Sequence, residues 1–420
     1  MKVLNTWLLL LFVGTSAISQ EKQVLNLALT EQLFIEQNLE LIAEKYNIRM
    51  AEAERIQARL WPNPELNVEI AMWDYEDKKW FRNDYYAQRV FEVNQLIELG
   101  RKRKKRTEIA DRGIEIAQLE FYETVRNLKN ELRTVFIEAY FMNQRKERME
   151  KSAVHLNNMI TAYTRLFESG HYSRAELTRL KTLLTATQME VLQMEQELIE
   201  TTASLRILLG IPNRTELILE EPVELLADFK NEFLPLDQLL LTGLDQRADL
   251  QVEVQLSRLA DAEISMAKSE AIPDLNIGAM YDRRGAEQWD YVGLTFGIEL
   301  PLFDRNQGEI KKAQISKEQA EINVQKAVNL VEAEILESYH KFIQTQQVAQ
   351  LMDDDLIDEL DHMITGAING FERQNISILE FIDYFESYNE GVTNYFELRA
   401  QLFTDRELIN YSTGIDFNRK

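Results

Sequence analysis

The chain has 420 residues, with 70 acidic against 47 basic, a formal net charge of −23, and no cysteine. Without cysteine there are no disulfides, thiolate metal sites or thiol nucleophiles, and so acidic a composition argues against nucleic acid as the main partner. Hydrophobic residues make up 45%, enough for a packed core in two or three ordinary domains or one elongated unit.

Residues 1–19 read as a signal peptide. Lys2 supplies a basic start, Thr6–Ala17 is apolar, and Ala17-Ile18-Ser19 is a small-x-small cleavage site. The mature chain then begins near Gln20, outside the cytoplasm. No later stretch carries 18 uninterrupted apolar residues, so an exported chain of this kind is either soluble or crosses an outer membrane as a β-barrel.

From there the chain reads as two copies of one plan. Asn63–Trp73 is echoed by Ile272–Tyr281, Phe167–Leu177 by Phe371–Phe381, and Leu208–Ile211 by Ser412–Ile415, at offsets of about 203 to 209 residues. The first copy spans 20–209 and the second 238–415. A linker, 210–237, separates them and holds three of the seven prolines; 416–420 is a tail.

Each copy reads as a helix, two strands and two very long helices. In the first, Leu66, Val68, Ile70 and Met72 alternate with Asn67, Glu69 and Ala71, and the strand pair covers about 65–96. In the second, Val292, Leu294, Phe296, Ile298 and Leu300 alternate with Gly293, Thr295, Gly297 and Glu299, and the pair covers about 274–300. Period-two alternation predicts a sheet with one apolar and one polar face. Trp73, Tyr75, Trp80, Tyr85 and Tyr86 crowd the first pair, and Tyr281, Trp289 and Tyr291 the second, as in a membrane–water belt. The alternative is a small soluble sheet with its apolar face against helices.

The helices show a 3.5-residue repeat: Phe121, Val125, Leu128, Leu132, Val135 and Ala139 in one copy, Val324, Val328, Val331, Ile335, Ser338 and Phe342 in the other. The stretch 101–167 lacks proline and at 1.5 Å per residue would run on the order of 100 Å. A second rod, about Arg174–Leu209, returns from a tip near Gly170; the matching tip lies near Gln374–Asn375. Four strands cannot close a membrane barrel, so two copies giving eight strands or three giving twelve are required.

Taken together, the element order and the stretch Arg247–Tyr281 resemble the TolC-like outer-membrane efflux proteins. Arg247-Ala248-Asp249-Leu250 is similar to the family's Arg-Pro-Asp-Leu, with Ala248 in place of proline. Asn94–Arg106 and Leu300–Ile310 are similar to segments of the cobalt–zinc–cadmium branch, the first with one glycine missing. The resemblance implies a mainly α fold with long coiled-coil hairpins forming a periplasmic α-barrel, and a homotrimer with a twelve-stranded membrane β-barrel. It further implies a passive exit duct in the outer membrane of a Gram-negative bacterium. Such a duct docks to a periplasmic adaptor and an inner-membrane pump of the resistance–nodulation–division class exporting metal cations. An exit duct for drugs or small organic molecules and a soluble periplasmic coiled-coil scaffold are the alternatives.

Two sets of residues are singled out. Arg101, Lys102, Arg103, Lys104, Lys105 and Arg106 open a long helix, where positive charge opposes the macrodipole. In the architecture implied, an external anion at the lipid surface offsets that charge, and the run is an interfacial anchor. The other reading pairs it with neighbours such as Glu98 and Glu108. Asp304 and Glu309 serve as cap and favourable first-turn charge at the corresponding helix of the second copy. Past the second tip, Glu380 and Asp383 match two acidic positions that ring the periplasmic entrance in the resembled family. Their spacing of three keeps them on one helix face. His155, His171, His340 and His362 lack metal-ligand spacing, and Asp353–Asp361 reads as a solvated helix face. No catalytic, cofactor or metal cluster is found, and the chain reads as a transport protein with no enzymatic activity.

Overall fold

A computed structural model describes residues 22–75, 78–84, 87–168, 173–212, 214–222, 235–284, 289–352 and 355–415. The signal peptide, the first tip near Gly170, Tyr85, Tyr86, most of the linker and the tail lie outside the described residues. The chain divides into two units: Met1–Asn38, Leu132–Asp228 and Met352–Ala400 form one, and Leu39–Glu131, Phe229–Leu351 and Gln401–Lys420 the other.

The first unit is a helical bundle with a small two-stranded sheet. β1 (Lys22–Leu25) pairs parallel with β6 (Glu216–Leu219), and α1 (Leu27–Gln37) follows β1. The bundle consists of the later part of α3 (Lys102–Glu168), α4 (Arg174–Leu209), α8 (Leu356–Glu372) and the first part of α9 (Ile378–Thr413). Aromatic stacking joins these helices: Tyr163 lies 4.9 Å from Phe371, and Phe371 lies 5.0 Å from Phe381. Arg133 and Glu31 form a buried ion pair. It ties α1 to the bundle, because either charge alone in that apolar setting would be costly.

α3 matches the uninterrupted rod expected from its lack of proline; its 67 residues span about 100 Å. The first rod of the second half does not. It is two helices, α7 (Gln307–Ala349) and α8, separated around Gln350–Asp355. Of the acidic stretch, residues 355–361 are described and form the start of α8. Asp355 occupies the N-cap position of α8, and Asp358 and Glu359 sit in its first turn. There, negative charge complements the macrodipole.

The second unit holds α2 (Leu39–Ala58), the first part of α3, α5 (Leu236–Gln246), α6 (Ala248–Glu270), α7 and the end of α9, with one sheet and one hairpin. Its helical core gathers Leu239, Leu250, Val331, Ile335, Phe342, Leu402 and Ile409. Buried Arg247, only 1% exposed, organises the polar side of this core. It reaches Asp249 at 2.5 Å, Glu334 at 2.5 Å and the Ser412 carbonyl at 2.9 Å. Burial lowers its proton affinity, but the hydrogen bonds to Asp249 and Glu334 more than reverse this, so it stays charged.

The sheet has four antiparallel strands: β2 (Glu65–Ile70), β5 (Arg89–Ile97), β7 (Leu275–Arg284) and β8 (Trp289–Ile298), in the order β2-β5-β7-β8. β5 ends at Ile97, close to the expected 96, and β8 ends at Ile298, before the expected 300. The two-residue strands β3 (Trp73–Asp74) and β4 (Lys79–Trp80) make a separate hairpin. In it Trp73 and Trp80 pack edge to face at 5.1 Å.

Candidate functional site

The register of the sheet decides what its two faces are. Val68, Phe91, Tyr281 and Val292 form one cross-strand row, and Leu66, Val93, Ala279 and Leu294 the next. Ile277 and Phe296, then Leu275 and Ile298, extend the same face. Alternation within each strand thus becomes one apolar surface across all four. The other face carries Glu65, Asn67, Glu69, Glu92, Asn94, Asn276, Asp282 and Thr295.

Among the described residues no helix covers the apolar face. Val292 is 73% exposed, Leu294 70% and Phe296 69%. A soluble sheet laid against helices would bury these side chains, so that reading fails. β5, β7 and β8, with nine, ten and ten residues, match the length needed to cross a bilayer when tilted, while β2 has six. β2 and β8, at the two edges, each pair on one side only, leaving a row of backbone donors and acceptors that demands a partner. Among the described residues no helix is long and apolar enough to cross a membrane.

At the base of the sheet the basic run is placed by its partners. Gly100 and Arg101 both adopt left-handed backbone, with φ of 67° and 61°, turning the chain from β5 into α3. At Arg101 this turn carries a side chain in a conformation that favours glycine. Lys102, nearly buried, sets its Nζ 2.8 Å from Asp274 and 3.4 Å from Glu270. Lys105 donates to the Ser265 carbonyl at 2.7 Å, and Arg106 forks onto both oxygens of Glu98.

Three of the six cations thus have partners inside the protein, Arg106 on Glu98 as in the other reading of the run. The physical reason is that α3 begins beside the C-terminal end of α6. Cations that oppose the dipole of α3 complement the exposed carbonyls at the end of α6. Burial lowers the proton affinity of Lys102, but its hydrogen bond to Asp274 and the charges of Glu270 and Asp274 raise it further, above the ordinary value of 10.5. Arg103 stacks its guanidinium 3.9 Å over the Trp61 ring. Arg101 and Lys104 remain exposed.

The second junction departs from expectation in its cap. Asp304 accepts from the Asn306 N–H at 2.8 Å and closes a local turn. Asn306, with φ of 58°, is the N-cap of α7 and makes no side-chain cap bond. It instead donates to the Ala267 carbonyl at 2.8 Å, another group at the end of α6. Glu309 does lie in the first turn. Between β8 and α7, Leu300, Leu302 and Phe303 are exposed, Phe303 by 91%.

At the tip, Glu380 and Asp383 are both exposed on the outward side of α9, opposite buried Ile378, Phe381 and Phe385. Glu380 has a local role that went unnoticed in the sequence. Its carboxylate accepts from the Ser377 N–H at 2.7 Å, while the Ser377 hydroxyl accepts from the Glu380 N–H at 3.3 Å. This reciprocal pair is a capping box, legible as Ser-x-x-Glu. The same box closes the start of α4, where Ser173 and Glu176 exchange bonds. In both glutamates the backbone hydrogen bond from the cap serine lowers the carboxyl pKa. Among the described residues no group of three or more His, Asp or Glu is arranged to hold a metal ion.

Residues 31–211 match the family model described as Outer membrane efflux protein. The chain is 24% identical over 393 residues to the cobalt-zinc-cadmium resistance protein CzcC of Cupriavidus metallidurans, covering 90% of this chain and 87% of that one. Among solved structures it is similar to a membrane protein from Pseudomonas aeruginosa, with a TM-score of 0.76 at 13% identity over 92% of both chains. It is also similar to the open state of the MtrE outer membrane channel of Neisseria gonorrhoeae, with a TM-score of 0.72 at 13% identity, over 93% of this chain and 89% of the other.

Proposed function

We propose, on the match of residues 31–211 to the family model described as Outer membrane efflux protein, that the chain is such a protein and that three copies assemble into an exit duct for metal cations. Their four-stranded sheets join edge to edge into a twelve-stranded barrel, and their long helices continue it as a periplasmic tunnel. The observation that carries this is the exposed apolar face running across all four strands, backed by a polar face. In water such a surface would aggregate; in a bilayer it is the outside of a barrel and the polar face is its lumen. The alternation of strand directions favours closure, because β8 of one copy and β2 of the next then meet antiparallel.

A passive duct needs a pump. In this reading a periplasmic adaptor and an inner-membrane pump of the resistance–nodulation–division class deliver the cargo. Metal cations are favoured over drugs or other small organic molecules by the likeness to a cobalt-zinc-cadmium resistance protein over most of both chains. Glu380 and Asp383, three residues apart and both exposed, ring the tunnel entrance, six carboxylates per trimer, attracting cations. Arg101 and Lys104, with Leu302 and Phe303, anchor the base of the barrel at the lipid surface. A soluble scaffold would leave the apolar face without a purpose.

The test is mass and conductance on one preparation of the full chain. A detergent-solubilised trimer that opens ion-conducting pores in a planar bilayer is expected. A stable monomer with its strands intact would overturn the architecture. Loss of the gene should sensitise cells to cobalt, zinc or cadmium; sensitisation to organic toxicants alone would reassign the cargo.

A further inference from the structure

Below the sheet, between the end of α2 and the start of α3, lies an open cleft of about 570 Å³ lined by Arg59, Arg103, Lys104, Thr107, Glu108 and Asp111. That is within the range of sites for small ligands. Its charge is lopsided. Asp111 is held by Arg55 at 2.5 Å, so three cations face the cleft with Glu108 as the one carboxylate not so engaged.

The cations are also arranged. Stacking on Trp61 at 3.9 Å fixes the plane of Arg103 and leaves its in-plane N–H groups to point past the ring. The Thr107 hydroxyl donates to the Arg103 carbonyl at 2.9 Å, which keeps its oxygen available as an acceptor from a ligand hydroxyl. The first turn of α3 holds no acidic residue, so the positive end of the helix adds to the field. Lys102, Lys105 and Arg106 are turned toward protein partners, and this separates them from the cleft-facing set.

We infer that this cleft binds the phosphate of an anionic phospholipid head group. The inference rests on the outer-membrane reading above. A lipid is favoured over free phosphate by what adjoins the cations. Leu60 and Trp61, which follow Arg59 in sequence, are 50% and 56% exposed, and Trp61 carries the Arg103 guanidinium on its ring. A few residues on, Leu66, Val68 and Ile70 begin the exposed apolar face of β2. A head group in the cleft would thus have its acyl chains beside surface suited to them, with Trp61 at the boundary where indole rings settle. Arg59 and Trp61 lie outside the basic run, so the site is a three-dimensional one built from the segment that follows α2 and from the start of α3.

The experiment uses full-length trimer already shown to conduct, so that a failure here leaves the duct reading standing. Phosphatidylglycerol and phosphatidylcholine of equal chain length are titrated separately in detergent and counted by native mass spectrometry. Binding should favour phosphatidylglycerol. Lys104→Gln should weaken it roughly fivefold and Arg59→Gln with Lys104→Gln roughly thirtyfold, the effect of one and two surface cations. Lys312→Gln, a basic residue paired with Glu309 at 3.2 Å, should change nothing. Equal binding of the two lipids, or unchanged binding in both Lys104→Gln and the double variant, would overturn the site. Displacement of phosphatidylglycerol by equimolar inorganic phosphate would show a soluble anion as the occupant and overturn the lipid assignment.

Discussion

If the apolar face of the sheet meets lipid, a charge placed on it is punished, and a charge one residue along the strand is not. Leu294 and Thr295 make the comparison within one strand. Leu294 is the sixth residue of β8, opposite Ala279 and 70% exposed in the protomer. Thr295, opposite Gly278, is on the polar face and is also exposed. In water, arginine at either exposed position would change stability by less than about 0.5 kcal/mol. In a bilayer, arginine near the midplane of the outer face costs about 2–4 kcal/mol per strand. Three copies in a trimer raise that to about 6–12 kcal/mol, whereas a lumenal arginine is solvated by channel water. The assay is urea unfolding from lipid vesicles, followed by tryptophan fluorescence, for wild type, Leu294→Arg and Thr295→Arg. A large loss confined to Leu294→Arg is expected. Equal costs at the two positions would refute the assignment of faces, and with it the barrel.

Replacing Glu380 with Gln and Asp383 with Asn removes six charges per trimer and should lower cation preference and weaken block by a trivalent cation in single-channel recordings. Unaltered selectivity would place both carboxylates away from the conduction path. Arg247→Met strands Asp249 and Glu334 without their shared cation and should cost about 3–5 kcal/mol in equilibrium unfolding. Lys102 has a folded pKa above the ordinary 10.5. Its contribution is complete below that value and lost as pH rises through the folded pKa, so the wild type should lose stability relative to Lys102→Met on the alkaline side. Parallel pH curves for the two proteins would exclude that linkage.

The sheet was the most legible part of the chain because alternation is a property of neighbours in sequence. Leu66, Val68 and Ile70 declare their common face before any partner strand is known, and the register then joins that face to Phe91, Tyr281 and Val292. The basic run was less legible for the opposite reason. Its partners Ser265, Glu270 and Asp274 lie more than 150 residues away in sequence, and only the packing of α3 against α6 brings them close. Composition showed an excess of positive charge at one point but not which cations the protein would neutralise itself. After the break between α7 and α8, Asp355, Asp358 and Glu359 stand at the start of α8. Acidic residues in series are neutral on a helix face but favourable at a helix start, and the start was the less obvious alternative. The capping boxes were present as Ser173-x-x-Glu176 and Ser377-x-x-Glu380, yet the carboxylate of the second drew attention only as a charge.

That double role of Glu380 bears on how the proposed entrance behaves with pH. Carboxylates drawn together by threefold symmetry raise one another's pKa, because each disfavours the ionised form of the next. The cap acts the other way. The Ser377 backbone N–H and then its hydroxyl lower the pKa of Glu380. The associated stability is present above the ordinary carboxyl range and is lost as pH falls through the lowered folded value. A capped glutamate is thus suited to a ring of like charges, since it holds its proton off at the point where repulsion would restore it. The cap also fixes the side chain at the first turn of α9, with Asp383 one turn further along the same exposed side. Ser377→Ala keeps the backbone donor but removes the hydroxyl. It should move the loss of cation preference to higher pH in reversal-potential measurements across a salt gradient, while neutral-pH selectivity stays unchanged. An acid midpoint identical in the two proteins would separate the cap from the charge of the entrance and leave Glu380 a purely structural residue of the helix start.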